Sequence, residues 1–161
     1  MLSFFKKKPA QGKEMKAFLT GKVIPIEEVK DGVFSEKIMG DGIAIIPEDE
    51  MLVAPADGEI TVIMEGSFHA VGMKLENGVE ILLHIGIDTV GMNGEGFKAY
   101  VKVGDKVKTG DKLISFSKSG IAARGLRDVT MLIITNGDEC PSVKLLSGMQ
   151  AKVGETVIAE M

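Results

Sequence analysis

Residues 69–84 have the sequence HAVGMKLENGVEILLH, in which two apolar runs lie on either side of Asn77-Gly78. This dipeptide is a strong short-range signal for a β-hairpin, because both central positions of its turn take a positive φ. A two-residue loop at this point pairs Val71 with His84, counting outward from the turn. The segment therefore predicts two antiparallel strands with a defined register.

The predicted hairpin brings together the only two histidines of the sequence. His69 lies two residues beyond the predicted direct partner of His84, and the alternation of side chains along a strand puts both on one face. The α-carbons of such diagonal neighbours are about 7–8 Å apart, which lets two imidazoles touch. We therefore expect a histidine pair, whereas a register shift of one residue would place the rings on opposite faces.

The rest of the sequence has the pattern of an all-β protein. Twenty glycines are spread over the chain, and the segments between turn signals are rich in valine and isoleucine. Segments 103–107 and 153–157 are similar to each other, as a duplicated motif of a β-sandwich or barrel would be, and the reuse of Gly-Asp and Gly-Glu turns explains the similarity equally well. Helices are expected only as single turns near residues 27–30 and 120–124. The predicted strands are 42–46, 59–64, 70–75, 79–87, 112–117 and 129–135.

Composition restricts the class of protein. The chain has 161 residues, 45% apolar and 26% charged, which is typical of one globular domain. A net charge of −4 without a basic stripe argues against a nucleic-acid partner. No apolar run approaches the roughly 18 residues of a membrane-spanning helix, and no secretion signal opens the chain. Cys140 is the single cysteine and cannot form an internal disulfide, so we expect a cytoplasmic protein.

The first sixteen residues differ in character from the rest. Leu2, Phe4 and Phe5 are followed by five lysines, with Pro9 and Gly12 between them. This composition predicts a flexible basic tail over residues 1–16, with at most peripheral contact to an anionic membrane. One domain is then expected over residues 17–161.

A pair of imidazoles suits phosphoryl transfer. One ring can accept a phosphoryl group if its attacking nitrogen is neutral and its other nitrogen is held by a hydrogen bond, while a second ring donates to the phosphoryl oxygens. Two histidines without a cysteine cluster do not complete a catalytic zinc site. The sequence also lacks the glycine-rich loops that bind nucleotides. We therefore expect no metal or cofactor, and the phosphoryl group must arrive on another protein.

Several segments closely resemble one known family. They are VFSEKIMGDGIAI at 33–45, the pair His69-Ala70, LHIGIDTV at 83–90, GEGF at 94–97 and GDKV at 104–107. Together they resemble the glucose-type enzyme IIA proteins of the bacterial sugar phosphotransferase system, from about residue 17 to the C-terminus. The resemblance implies antiparallel sheets in a compact sandwich-like barrel, with the active site in a shallow apolar depression.

The resemblance also implies a function and a set of site residues. His84 is expected to accept a phosphoryl group from HPr and to pass it to the IIB domain of a sugar permease, while His69 stabilises the phosphohistidine. Ser67 occupies the place of the family hydroxyl that orients the first histidine. Asp31 and Asp88 match the carboxylates beside the family's site, which make the bond to the phosphoryl group labile. Regulated enzymes or permeases are further candidate partners.

An apolar surface that docks partner proteins is implied around the histidines. Two of its residues, Phe34 and Ile38, fit an ordinary role in the core equally well. The expected docking residues are Val33, Phe34, Ile38, Met39, Ile85 and Val90.

Two other classes of protein share part of this pattern. Residues 103–114 have the Val-Gly-Asp cadence of biotinyl and lipoyl carrier domains, and Lys74 lies in a hairpin as their modified lysine does. Those domains are about half this length, and their lysine lies at the tip of the turn, whereas Lys74 precedes Asn77 by three residues. A lysostaphin-like zinc endopeptidase would need a third metal ligand and a secretion signal.

Overall fold

A computed structural model describes residues 14–140 and 142–161, and nearly all of its regular structure is β. The strands are β1 (Glu14–Lys16), β2 (Gly21–Pro25), β3 (Gly42–Pro47), β4 (Met51–Val53), β5 (Gly58–Ile63), β6 (Ala70–Leu75), β7 (Glu80–Ile87), β8 (Phe97–Ala99), β9 (Lys106–Val107), β10 (Lys112–Phe116), β11 (Arg127–Ile134), β12 (Lys144–Leu145), β13 (Gln150–Ala151) and β14 (Val157–Glu160). The one α-helix of the described residues, α1, spans Lys118–Ala123, and the 3₁₀ turns are Ile26–Val29, Phe34–Glu36, Thr89–Met92 and Gly137–Glu139. The predicted all-β class is confirmed. In the described part of the chain, no helix has the length and apolar character needed to cross a membrane.

The strands form one large sheet and two small ones. Eight strands pair in the order β13-β2-β3-β11-β7-β6-β5-β9, and the two small sheets have the orders β1-β14-β12 and β4-β10-β8. All of these pairings are antiparallel. Strand β7 therefore lies in the interior of the large sheet, between β11 and β6, and its backbone is hydrogen-bonded on both sides.

The large sheet buries apolar side chains on both faces. On the inner face, Leu83, Ile85 and Leu132 belong to the main core. On the outer face, Met131 and Ile133 belong to a smaller cluster, which we call the outer cluster. Because side chains alternate along β7, His84 lies on the outer face between two residues of the main core. The members of the outer cluster are Ile24, Ile26, Val29, Phe34, Ala44, Val129, Met131 and Ile133.

The hairpin of β6 and β7 exists, but its predicted register is wrong by one residue. Ala70, not Val71, pairs with His84. The reason is the turn: the N–H of Leu75 donates to the carbonyl of Val79 at 2.8 Å, which leaves a three-residue loop instead of a two-residue one. Gly78 closes this loop with a φ of 93°, a conformation common in three-residue hairpin loops.

The folded part of the chain begins before residue 17. Strand β1 pairs with β14, and Met15 within it is fully buried. Residues 14–16 fall in the predicted tail because lysines continue as far as Lys16 and the family resemblance begins near residue 17. Only pairing with the distant C-terminal strand gives Met15 a buried position. The rest of the predicted tail, residues 1–13, lies outside the described residues and stays a prediction.

We expect Met15→Ala to lower the free energy of unfolding by about 2–5 kcal/mol, because it leaves a cavity in the main core. Lys16→Ala in the same strand is the matched control. It removes a partly exposed ion pair with Glu14, and we expect a change within about 1 kcal/mol. Urea unfolding of both variants measures this. Equal, small effects would show that β1 contributes no more than a tail.

Candidate functional site

His84 lies between two other rings on the outer face of the large sheet. The centroid of its imidazole is 4.8 Å from that of Phe34, with an interplanar angle of 54°. It is 4.7 Å from the centroid of His69, and these two rings meet edge to face at 87°. The expected contact between the histidines is therefore confirmed.

The contact between the histidines does not result from the predicted strand register. The N–H of Ile85 donates to the carbonyl of His69 at 2.8 Å, so a continuous strand would carry the His69 ring to the inner face. His69 instead precedes β6, immediately after Phe68, whose φ is 52°. The N–H of Phe68 donates to the carbonyl of Met64 at 2.8 Å and closes a tight bend. This bend takes His69 out of the regular alternation and lets its ring contact His84.

One hydrogen bond determines which nitrogen of His84 is available. Nδ1 of His84 lies 2.9 Å from the carbonyl oxygen of Gly86. A carbonyl only accepts, so Nδ1 carries the proton and Nε2 of the neutral ring has a free lone pair. Gly86 has a φ of 75°, and a Cβ there would lie 2.5 Å from Cγ2 of Thr89 and 2.8 Å from the carbonyl oxygen of Arg127. Only glycine fits this position.

His69 is held by Ser67, as the resemblance implies. The hydroxyl of Ser67 lies 2.7 Å from Nδ1 of His69, while its contact with the carbonyl of Met64 is 3.5 Å long. His69 and Ser67 are both buried. The hydroxyl therefore fixes the orientation of the ring that meets His84 edge to face.

Burial keeps the His84 ring neutral. Desolvation first, and then repulsion from His69, lower the pKa of His84 to about 4, although the Gly86 carbonyl, Asp31 and Asp88 act in the opposite direction. Burial also lowers the pKa of His69. In the unfolded chain, His84 titrates near 6.5 and therefore binds a proton more readily than in the folded protein. Its burial thus lowers the free energy of unfolding as the pH decreases from about 6.5 to about 4.

Asp31 organises the segment that covers the site. Its carboxylate accepts the N–H of Ser35 at 2.8 Å and of Phe34 at 3.1 Å, while the Ser35 hydroxyl accepts the N–H of Asp31 at 3.2 Å. Burial alone would raise the pKa of Asp31, but these hydrogen bonds outweigh it and lower the pKa. Asp31 is therefore charged, and it also holds the turn that carries Phe34.

The site is a shallow depression of about 200 Å³. It contains the His84 ring and two carboxylates, those of Asp31 and Asp88. Asp88 follows β7 directly with a φ of 63°, so the chain leaves the strand abruptly at this point. Of the residues that line it, Ile87 was not expected from the sequence. The lining residues are Asp31, Val33, Phe34, His84, Ile87, Asp88 and Val90.

A family model described as the phosphoenolpyruvate-dependent sugar phosphotransferase system, EIIA 1, matches residues 13–140. The chain belongs to this family. A glucose-specific EIIA component of the phosphotransferase system from Oceanobacillus iheyensis is 42% identical over 161 residues, which are 99% of this chain and 97% of that protein. Another, from Bacillus cereus, is 46% identical over 143 residues, 89% of this chain and 86% of that protein.

A solved structure agrees with this assignment. The glucose permease IIA from Mycoplasma capricolum superposes with a TM-score of 0.81 at 34% identity, over 91% of this chain and 93% of that one. The chain is thus a phosphocarrier of the sugar phosphotransferase system, as expected. The alternative of a biotinyl or lipoyl carrier is not favoured, and Lys74 lies within β6 rather than at the tip of the hairpin.

Of the six expected docking residues, four are exposed and two are buried. Val33, Ile38, Met39 and Val90 are exposed apolar side chains, with Ile38 the most exposed at 69%. Ile85 is fully buried in the main core and cannot contact a partner, because it faces away from its neighbour His84. Phe34 is 8% exposed and serves the outer cluster, where it packs against His84.

The pKa of His84 gives a direct test of this geometry. We expect the imidazole resonances of His84 to titrate with a midpoint near 4 in an NMR pH titration, because burial disfavours the charged ring. In His69→Gln the midpoint should rise, since repulsion from the second ring is lost, but remain below 6.5 because burial is the larger cause. An ordinary midpoint in the unaltered protein would contradict the described burial.

Proposed function

We propose that this chain is the phosphotransferase component that accepts a phosphoryl group from phosphorylated HPr on Nε2 of His84 and passes it to the IIB domain of a sugar permease. One observation carries the proposal: the unprotonated Nε2 of a neutral ring, in a surface depression, with Nδ1 held at 2.9 Å by the Gly86 carbonyl. Such a role between HPr and a permease belongs to the cytoplasm.

Acceptance begins with attack of the His84 Nε2 lone pair on the phosphorus. The bond between phosphorus and the donor atom of HPr breaks, and its electron pair stays on that atom. Nδ1 of His84 keeps its proton throughout, and the Gly86 carbonyl stabilises the positive charge that develops on the ring. Because phosphoryl transfer depends mainly on positioning and electrostatics, a ring held at its second nitrogen is a suitable nucleophile.

His69 is the group that steadies the transferred phosphoryl. The hydroxyl of Ser67 makes a short bond to Nδ1 and only a 3.5 Å contact to the Met64 carbonyl, so its proton is best placed toward His69. Nε2 of His69 then carries the proton of that ring. Its edge-to-face position beside His84 brings this donor close to the phosphoryl oxygens, where a preorganised donor is most effective.

The carboxylates of Asp31 and Asp88 make the phosphoryl group easier to pass on. They stabilise the positive charge on the His84 ring and repel the negative phosphoryl group that it bears. This repulsion weakens binding of the phosphoryl group without blocking attack by a second protein. It also favours partners that present basic residues, since complementary charge directs docking.

The exposed apolar residues around the depression supply the contact area for both partners. Val33, Ile38, Met39 and Val90 are at least 44% exposed, as a transient interface requires. A donor and an acceptor that each present an apolar patch with a basic rim can use the same surface in turn.

Replacement of each histidine by glutamine separates the two half-reactions. We expect His84→Gln to abolish acceptance from phosphorylated HPr, because the nucleophile is gone. His69→Gln keeps the nucleophile and offers an amide donor, so acceptance should persist. Onward transfer should decrease by two or more orders of magnitude, or about 3 kcal/mol, because its transition state loses an oriented imidazole donor. Rapid-quench measurement of each half-reaction tests this.

Lys74→Gln is the matched control, since Lys74 is exposed on β6 and makes no contact in the site. Both of its half-reactions should proceed at the rates of the unaltered protein. Stoichiometric phosphorylation of His84→Gln, or normal onward transfer from His69→Gln, would contradict the assigned roles.

A further inference from the structure

Thr89 is a buried polar residue that lies outside the reacting groups. Its side chain is fully buried, and its hydroxyl donates to the carbonyl of Ile85. This bond spans the bend in which the chain leaves β7, because the residues between its ends are 86–88. The bend carries both the Gly86 carbonyl and Asp88.

Thr89 also packs directly against Gly86. Cγ2 of Thr89 would lie 2.5 Å from a Cβ at position 86, so its methyl group fills the space that glycine leaves. The hydroxyl holds the peptide that precedes Gly86, and the methyl group lies beside its α-carbon. Thr89 therefore contacts both sides of the residue whose carbonyl accepts Nδ1–H of His84.

We propose that Thr89 is a positioning residue for phosphoryl transfer: its hydroxyl holds the bend at residues 85–89 so that the Gly86 carbonyl stays on Nδ1 of His84. The inference rests on the proposed function, in which Nε2 of His84 is the nucleophile. When the Thr89 hydroxyl is removed, the Ile85 carbonyl loses this donor and the bend can reorient. The neutral His84 ring then also populates the tautomer with the proton on Nε2, which has no lone pair for attack.

The test reads the tautomer of His84 in the unphosphorylated protein. Imidazole ¹⁵N chemical shifts distinguish Nδ1–H from Nε2–H, at a pH of about 7.5 where the ring is neutral. We expect Nδ1–H to dominate in the unaltered protein and in Thr89→Ser, which keeps the hydroxyl. In Thr89→Val the Nδ1–H fraction should fall to about half, and the rate of acceptance from phosphorylated HPr should decrease about tenfold through misplacement of the ring.

Thr130→Val is the matched control for the loss of a buried hydroxyl. Thr130 is also fully buried, and its hydroxyl donates to the carbonyl of Asp128 at 3.0 Å. Its neighbours Val129 and Met131 belong to the outer cluster, so Thr130 faces away from His84. We expect a loss of stability in Thr130→Val without a change in the His84 tautomer.

The outcomes separate this inference from the proposed function. An unchanged Nδ1–H fraction in folded Thr89→Val, or the same shift in Thr89→Ser or Thr130→Val, would overturn the role of Thr89. If Thr89→Val does not fold, Thr89→Ala decides in the same way, because it removes the hydroxyl without adding volume. The tautomer is measured without any partner protein. The effect of Thr89 on the His84 tautomer can therefore be established even if His84 proves not to be the phosphorylated residue.

Discussion

The chemistry of the site depends on the hydrogen bond from Nδ1 of His84 to the carbonyl of Gly86, at 2.9 Å. It holds the ring proton on one nitrogen and leaves the other with a free lone pair in the depression. The bond forms only because residue 86 is a glycine with a φ of 75°, closely packed by Thr89 and the Arg127 carbonyl. A side chain at position 86 would move this carbonyl and remove the group that holds the ring.

The large sheet supplies the rest of the environment because it is covered on both faces. The interior strand β7 alternates between residues of the main core, such as Leu83, and His84 on the outer face. There the segment capped by Asp31 brings Phe34 against the ring, which excludes water and lowers the pKa of His84. The nearby carboxylates act in the opposite direction, so the ring is neutral near pH 7 but can still bear a positive charge.

Local sequence signals predicted which elements surround the site better than they predicted the geometry of those elements. Asn77-Gly78 correctly placed the hairpin, but a glycine with a positive φ also suits a three-residue loop, so the predicted register was wrong. The histidines meet because Phe68 has a positive φ, which no residue preference indicates. Strand alternation beside His84 could have shown that Ile85 is buried. The burial of Met15 depends on pairing with β14, far away in sequence, and had no local signal.

We propose that Nε2 of His84 carries the phosphoryl group. This proposal is tested by ¹⁵N and ³¹P NMR of the ¹⁵N-labelled protein after phosphorylation with phosphoenolpyruvate, enzyme I and HPr. A one-bond coupling between phosphorus and a ring nitrogen identifies the acceptor atom directly. We predict this coupling at Nε2 of His84, while Nδ1 keeps its proton in the hydrogen bond that it donates to the Gly86 carbonyl. Coupling at Nδ1 of His84, or at either nitrogen of His69, would contradict it.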